Sequence, residues 1–411
     1  MGSALWAGIS GLNASSKELD VIANNLANTN TVGFKSGTTY FADVLSQSIS
    51  GGASGTMQVG RGVSVTEVQT QFSNGSFETT GVATDAAIDG DGFFMVNDAD
   101  GGTYYTRAGA FRLNSEGLLV DTNGYEVQGK AIVNGQPTGV LGDIALADVQ
   151  SNPQVTSTFS IGVNLNSDTA DSGTYSTSQT VYDTLGGEHT LTVTFTKTPA
   201  TVNQWTAAAT LDGNTTTPLT LSSNAFVFDT DGNMTTPGAG VDITVTVPAA
   251  AQPTNGSTIN PMTWDLASDS ALDITQYASS SVVRSLTSNG YSSGSLKSIS
   301  IDSNGIISGF FTNGQNTEMA QLMLSKFTNP WGLQKMGDNL FAETNSSGAA
   351  IQNYAGEGGI GSLTPNSLEM SNTDIATEFI KMITAQKAYQ ANAKVVTTES
   401  DMMQVLMNIK Q

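Results

Sequence analysis

The chain has 411 residues with no cysteine and a single histidine, which excludes disulfides, thiolate metal sites and metal sites built on several histidines. Only 12% of the residues are charged, yet acidic residues outnumber basic ones by 36 to 15 and the net charge is −21, so that nucleic acid and anionic membranes should be repelled. The sequence shows no apolar run as long as the roughly 18 residues that suggest a transmembrane helix.

The first predicted element is a helix at the N-terminus, within residues 1–30. Its apolar residues form a row with a spacing of seven, with further residues between them: Leu5, Leu12, Leu19 and Leu26, then Ile9, Ser16 and Ala23. This heptad pattern predicts a helix with an apolar stripe. The segment "ANTNTVGFK" then ends the helix, because Asn and Gly tolerate the left-handed backbone found at helix ends. A single helix of this kind should fray, so a partner is expected.

Residues 31–70 are predicted to be a connector with a Gly- and Ser-rich part. Alternating apolar and polar residues then predict short strands separated by Asn-Gly and similar turns. Residues 148–286 are rich in threonine and are interpreted as an inserted outer β domain. The earlier pattern returns afterwards, so residues 71–147 and 287–365 are expected to form one β core domain. Such nesting brings the two ends of the chain together.

The last predicted element is a second heptad helix within residues 366–411. Its two rows are Ile375, Met382, Tyr389, Val396 and Met403, and Phe379, Gln386, Ala393, Ser400 and Met407. Two interpretations stay open: the two ends form a coiled coil within one chain, or they also pack against neighbouring subunits. The predicted fold is therefore multidomain and mainly β, with discontinuous nested β domains and a terminal helical assembly domain.

No motif predicts an enzyme or a bound cofactor. Asp89 and Asp91 have a calcium-like spacing, but Phe93 stands where a third oxygen ligand is needed, so a turn is predicted. "GEGGIG" lacks the Lys-Ser/Thr of a phosphate loop and is interpreted as a flexible junction. His189 is expected to be exposed on a strand, and the terminal helices lack the cationic face of membrane-surface helices. We predict no catalytic, cofactor or metal site.

Three segments resemble one known family. They are "SGLNASSKELDVIANNLANTNTVGFK", "AAIDGDGFFMV" with "YYTRAGAFRLNSEGLLVDTNGYEVQG", and "LEMSNTDIATEFIKMITAQKAYQANAKVVTTESDMMQVLMNI". In this order they resemble the N-terminal signature, the core-domain motif and the C-terminal helix of the bacterial flagellar axial family of rod, hook and hook-associated proteins. The Thr-rich insertion is similar to the outer domain of hook subunits, which favours a hook over a distal rod protein.

The resemblance implies a structural subunit, not an enzyme, that is exported unfolded by the flagellar type III apparatus and carries no cofactor. Outside the cell it would polymerise with itself into a curved, flexible tube that transmits torque from rod and motor to filament. Its further partners would be the distal rod protein, the hook cap and the hook–filament junction protein, with no nucleic acid and no membrane insertion.

The terminal helices would form the inner tube, and the expected assembly residues are Leu5, Ile9, Leu12, Leu19, Leu26, Ile375, Phe379, Met382, Tyr389, Val396 and Met403. In "FADVL", Phe41 and Leu45 are similar to an export-gate motif, and the alternative for this segment is a turn of connector helix. A different class stays open for the whole chain: a secreted β-rich surface adhesin with helical ends, which would form no tube.

Overall fold

The computed structural model describes residues 2–44, 47–50, 56–133, 135–146, 149–199, 201, 203–238, 241–266 and 274–409. The chain divides into two compact units. Unit 1 comprises Met1–Ala147, Ile299–Gly309 and Thr317–Gln411, and unit 2 comprises Asp148–Ser298 and Phe310–Asn316. The structure is mainly β, with one helix near each end of the chain, which confirms the predicted fold class.

In chain order the elements are α1 (Gly2–Ala27), β1 (Gly37–Asp43), β2 (Gln47–Ser50), β3 (Thr56–Val59), β4 (Val63–Thr70), β5 (Phe77–Thr79), β6 (Ala86–Asp89), β7 (Phe93–Asn97), β8 (Thr103–Thr106), β9 (Arg112–Leu113), β10 (Leu119–Val120), β11 (Glu126–Val133), β12 (Gln136–Pro137), β13 (Gly142–Asp143), β14 (Gln150–Ser151), β15 (Thr158–Asn164), β16 (Thr174–Tyr182), β17 (Glu188–Lys197), β18 (Gln204–Leu211), β19 (Thr220–Leu221), β20 (Ala225–Phe228), β21 (Met234–Thr236), β22 (Ile243–Thr246), β23 (Met262–Trp264), β24 (Val282–Ser288), β25 (Gly294–Ile301), β26 (Ile306–Phe311), β27 (Asn316–Leu322), β28 (Leu324–Lys326), β29 (Gln334–Gly337), β30 (Leu340–Ala342), β31 (Ile351–Asn353), β32 (Ser362–Pro365), β33 (Ser367–Glu369) and α2 (Ile375–Ile409). Strands β25 to β27 have residues in both units.

Within the described ranges, neither helix is long and apolar enough to span a membrane.

The central sheet of unit 1 contains strands in the order β27-β11-β7-β8-β30-β29. Strand β7 is apolar on both faces, because its alternate side chains enter two different clusters. Phe94 and Val96 belong to the main core cluster, whereas Phe93 and Met95 join an aromatic cluster with Phe327. The buried "FFMV" run is therefore explained by a strand that is covered on both sides.

Two short antiparallel pairs join the segment that enters the core of unit 1 to the segment that leaves it. Strand β6 pairs with β32, and strand β5 pairs with β33, where Phe77 lies opposite Glu369. The chain therefore enters and leaves this β core at neighbouring points. Helix α1 precedes the point of entry, and α2 comes after the point of exit. This arrangement agrees with the nested order expected from the sequence.

Unit 2 contains two five-stranded sheets, ordered β19-β22-β23-β15-β24 and β16-β17-β18-β20-β21. Their inward side chains form one apolar cluster. Phe195 of β17 lies 6.0 Å, between ring centroids, from Trp264 of β23 in the other sheet. The "HTLTVTFTK" alternation explains this packing, since its apolar residues point inward and its threonines outward.

Unit 2 extends beyond residue 286, where the sequence placed the end of the insertion. Strand β24 pairs along its length with β15, from Phe159 opposite Ser288 to Asn164 opposite Val282. This pairing carries the unit past the expected boundary, and its first segment ends at Ser298. The sequence could not indicate this boundary, because a strand shows its apolar pattern but not its partner.

The chain's single histidine lies in a cluster of polar side chains in unit 2. His189 is on strand β17 as expected, but its side chain is only 14% exposed, which corrects the expected exposed position. Its Nδ1 lies 2.7 Å from Oδ2 of Asp212, and its Nε2 lies 3.3 Å from Oδ2 of Asp183. Asp183 also accepts hydrogen bonds from Ser257 Oγ and from the backbone N–H of Gly187.

These contacts make the stability of unit 2 depend on pH. Burial opposes the charged form of His189, but the hydrogen bonds and charges of Asp212 and Asp183 outweigh it and raise the pKa. A raised pKa stabilises the folded state fully below the unfolded value of about 6.5, and this stabilisation is lost as pH rises through the folded pKa. For Asp183, burial opposes ionisation, but hydrogen bonds from Ser257, Gly187 and His189 lower the pKa to about 2.

We therefore expect the unfolding temperature of unit 2 to fall on both sides of the weakly acidic range. It should fall as pH rises above about 6.5, and again as pH decreases from about 4 towards 2. Emission from Trp205 and Trp264, both fully buried in unit 2, follows this transition in the whole chain. In the variant His189→Gln, the unfolding temperature should no longer fall at the higher pH, but it should still fall at the lower pH. An unchanged upper dependence in this variant would contradict the assignment.

Candidate assembly surface at the paired chain ends

Helices α1 and α2 pack against each other in an antiparallel arrangement. Gly8 of α1 faces Val396 near the end of α2, whereas Asn25 near the end of α1 bonds to Glu378 near the start of α2. A Cβ atom on Gly8 would lie 3.0 Å from Cγ2 of Val396, and one on Gly11 would lie 2.5 Å from Nδ2 of Asn392. The two glycines therefore allow the helices to approach more closely than larger residues would.

A buried asparagine connects the helix pair to the strand that follows α1. Asn25 donates from Nδ2 to Oε2 of Glu378 at 3.2 Å and to the carbonyl of Gly37 at 2.8 Å. Its Oδ1 accepts the backbone N–H of Gly37 at 2.8 Å. Lys381 lies 2.7 Å from Oε1 of Glu378 and balances the charge of this buried carboxylate. Helix α1, strand β1 and helix α2 are thus joined at one polar point.

The other side of α1 packs against the hairpin of β1 and β4. These strands pair antiparallel from Gly37 opposite Thr70 to Asp43 opposite Val63. Ser10 in α1 accepts the backbone N–H of Val63 at its Oγ, at 3.2 Å. Helix α1 therefore contacts both α2 and this hairpin, whereas the outer side of α2 is exposed in the part of the chain that the structure describes.

The seam between the helices lies beside the apolar rows expected from the heptads. In α1 the buried positions with heptad spacing are Gly8, Gly11, Ser15, Ile22 and Asn25. The predicted Leu5, Ile9, Leu12, Leu19 and Leu26 are half-buried. In α2, Met382 and Val396 are half-buried, and Ile375, Phe379, Tyr389 and Met403 are exposed. Small and polar residues therefore form the pairing surface, and much of the predicted apolar surface is left uncovered.

Helix α2 has more uncovered apolar side chains than the heptad pattern indicated. The additional exposed residues are Ile380, Ile383, Val395, Met402, Val405, Leu406 and Met407. Apart from Met407, which belongs to the second predicted row, they lie outside the two rows. The signal was nevertheless present in the sequence, because apolar residues lie all around α2, which is typical of a helix that is buried on all sides.

A buried ionic cluster, which we name the clasp, lies where the chain leaves α1 and where it approaches α2. It consists of Lys35, Arg107 and Glu369, whose side chains are almost completely buried. Nζ of Lys35 lies 2.6 Å from Oε1 of Glu369, and Nη1 of Arg107 lies 3.4 Å from Oε2. Burial, and then repulsion by Arg107, lower the pKa of Lys35.

Backbone groups complete the clasp. Glu369 Oε1 accepts the N–H of Gly75 at 2.9 Å, and Lys35 donates to the carbonyl of Ser73 at 2.8 Å. The N–H of Gly33 bonds to the carbonyl of Glu369 at 2.7 Å. Three segments that are far apart in sequence therefore meet at one carboxylate. Sequence reasoning missed this cluster, because single charged residues give no periodic signal.

The candidate export motif is only partly within the described residues. Phe41 lies on strand β1 and is exposed, so the alternative of a connector helix turn is wrong at this residue. Leu45 lies outside the described residues.

Replacing Gly11 by leucine is expected to separate the two helices, because the new side chain would occupy the space of Asn392. Trypsin should then cut faster after Lys387 and Lys394 in α2, since these exposed sites lose the support of α1. Asn13→Leu is the matched control, because it introduces the same residue at an exposed position of the same helix. Equal cleavage in both variants would contradict the conclusion that Gly11 lies in the contact between the two helices.

Comparison with known proteins gives matches along most of the chain. Family models match residues 5–35 (flagella basal body rod protein), 87–164 (flagellar hook protein FlgE/F/G D1 domain), 148–291 (flagellar basal body protein FlaE D2 domain) and 364–409 (flagellar basal body rod FlgEFG protein C-terminal). Relatives described as flagellar hook protein FlgE are 32% identical in Treponema pallidum, over 99% of both chains, and 33% identical in Escherichia coli K12, over 98% of both. The Salmonella typhimurium FlgE is 34% identical, again over 98% of both. A crystal structure of Helicobacter pylori flagellar hook protein FlgE2 matches with a TM-score of 0.46 and 16% identity, covering 71% of this chain and 100% of that one.

Proposed function

The chain belongs to the flagellar hook protein family, a family of structural proteins, and from this premise we propose that its copies polymerise into a curved, flexible tube. This tube would act as a universal joint that transmits torque from the rod and motor to the filament. The observation that carries the proposal is the uncovered apolar surface of α2. One helix presents residues such as Phe379, Ile383 and Leu406 to solvent, and an exposed apolar surface of this kind marks an interaction site.

The two units suggest how such a tube is built. The paired helices would form the inner tube, with the predicted rows from Leu5 to Leu26 and from Ile375 to Met403 facing neighbouring copies. The β core and the inserted β domain would form the outer layers. For these roles we propose 1–30 with 366–411 as the helical domain and 31–70 as the connector. The core and the outer domain would follow the two compact units, so the outer domain would extend past residue 286 to Ser298.

The finer partners and the location follow from the same premise. The family places the chain in the flagellar hook and basal body. We propose that it is located outside the cell, between the distal rod protein and the hook–filament junction protein, and that it assembles under a hook cap. Export would use the flagellar type III apparatus with the chain unfolded, so the strand position of Phe41 in the folded protein does not bear on its role with Leu45 as an export signal.

Electron microscopy of the purified chain tests this proposal. At high protein concentration, negatively stained samples should contain tubes of uniform width. A strain that lacks its own hook subunit and expresses this chain should form curved hooks. If the chain stays monomeric at every concentration while its helices are folded, the proposal fails and a secreted adhesin is favoured. Straight, rigid tubes would favour a distal rod protein.

A further inference from the structure

Unit 1 contains an open cavity of about 460 Å³ beside the clasp. Four aromatic residues line it, together with two cationic side chains and one carboxylate: Phe72, Phe93, Phe327, Trp331, Arg107, Lys326 and Asp91. The ring of Phe93 packs edge to face against Phe72 and Phe327, with centroids 5.5 Å and 5.8 Å apart, so this part of the wall is held by the core. Trp331 at the margin is 59% exposed.

Arg107 is the unusual member of this wall. It is 1% exposed, its Nη2 donates to the carbonyl of Gly90 at 2.9 Å, and its guanidinium lies 5.3 Å from the centre of the Phe93 ring. Its Nε has no hydrogen-bond partner among the described residues. A buried donor without a partner is costly, so an acceptor from outside the chain that reached Arg107 would satisfy this group.

The charges near the cavity favour an anion. Lys35 and Arg107 share the carboxylate of Glu369, and Asp91 also acts electrostatically on Arg107. Together with Lys326 these described residues are three cations and two carboxylates, an excess of one positive charge. At the margin, Lys326 is neutralised by Asp91 at 2.9 Å. A site with an excess cation and aromatic walls suits a carboxylate attached to an apolar chain.

We propose that this cavity receives an acidic side chain from a second copy of the chain, with its carboxylate bound by Arg107 and its apolar stem packed against Trp331. The inference rests on the proposed self-assembly. Charge complementarity supports this occupant, because each copy has 36 acidic residues and a net charge of −21, so the surface of a neighbour offers carboxylates far more often than cations. The contact adds a charged interaction between copies to the apolar one between helices.

Cross-linking identifies the occupant directly. The chain has no cysteine, so Thr328→Cys at the cavity wall can be labelled selectively with a benzophenone maleimide. Irradiation of assembled tubes should join two copies, and the captured peptide should contain Asp or Glu. Dilute monomer should give no such product. Capture of a peptide without an acidic residue, or cross-linking only within one chain, would overturn the proposal.

A substitution test gives an independent result. Trp331→Ala should raise the protein concentration needed for assembly roughly ten-fold or more, while monomer unfolding stays unchanged because this side chain is mostly exposed. Met336→Ala, at another exposed apolar position in unit 1, is the matched control and should assemble normally. Replacing the Asp or Glu identified by cross-linking with Asn or Gln should have the same effect as Trp331→Ala. Combining the two substitutions should raise the required concentration no further than either one alone.

The outcomes separate this inference from the proposed function. If the unsubstituted chain forms no tubes, the proposed function itself is wrong. If it forms tubes and Trp331→Ala assembles like the control, only the docking of an acidic side chain is overturned.

Discussion

Replacing Phe379 by aspartate is expected to abolish polymerisation and leave the unfolding of the monomer almost unchanged. Phe379 is 47% exposed in the isolated chain, and it lies in an apolar part of α2 with Ile375 and Ile383. In a tube this surface would be covered by neighbours, and burying a carboxylate there costs several kcal/mol per subunit. Since each ~1.4 kcal/mol is a factor of ten, the critical concentration should rise on the order of a thousand-fold.

Thr384→Asp is the matched control. It introduces the same charge into the same helix, at an exposed polar position roughly opposite Phe379 around the helix axis. Sedimentation of polymer and counting of hooks on cells measure both variants. Normal hooks from Phe379→Asp would show that this face of α2 is not an assembly surface. Equal loss in both variants would show that the assembly surface extends around the helix to Thr384. Met382 is a poorer probe, because it is already half-buried in the monomer.

Replacing Glu369 by glutamine is expected to destabilise unit 1 by about 3–5 kcal/mol, the usual consequence of removing one partner from a buried ion pair. The change keeps the shape of the side chain but leaves Lys35 and Arg107 buried without a counter-charge. Hydrogen exchange of peptides from β6 and β7 measures the effect in unit 1. Peptides from unit 2 should exchange as in the unsubstituted chain.

Two further variants test the charge balance of the clasp. Lys35→Met removes one of its two cations and keeps the pair of Arg107 with Glu369, so it should be clearly less destabilising than Glu369→Gln. Asp91→Asn breaks a pair at the surface with Lys326 and should cost no more than about 1 kcal/mol. If Lys35→Met destabilises unit 1 as much as Glu369→Gln does, an uncompensated buried cation is not the cause of the destabilisation.

The sequence predicted the elements with a strong period and missed those without one. Two heptad patterns within 1–30 and 366–411 correspond to α1 and α2, and the alternating "HTLTVTFTK" corresponds to β17. A period records which side chains share a face. It does not record what covers that face, so the sequence did not indicate that residues such as Gly11 and Asn25 are the ones buried in the folded chain.

The contacts that could not be predicted are those between segments far apart in the chain. Glu369 and Lys35 are separated by 334 positions, and Asn25 and Glu378 by 353. Neither pair belongs to a motif, since one charged or amide side chain at one position is compatible with any surface. The cavity lined by Trp331 and Arg107 likewise depends on segments that only the folded core brings together.

The pairing of β5 with β33 has a mechanical consequence. Phe77 and Glu369 lie opposite each other at one end of this pair, and from there the chain continues towards α1 in one direction and α2 in the other. A force that pulls the two helices apart therefore acts on both strands at the same end, so the backbone hydrogen bonds of the pair would break one after another from that end. The clasp lies at this end, so its ionic bonds would bear the tension first and protect the weaker bonds behind them.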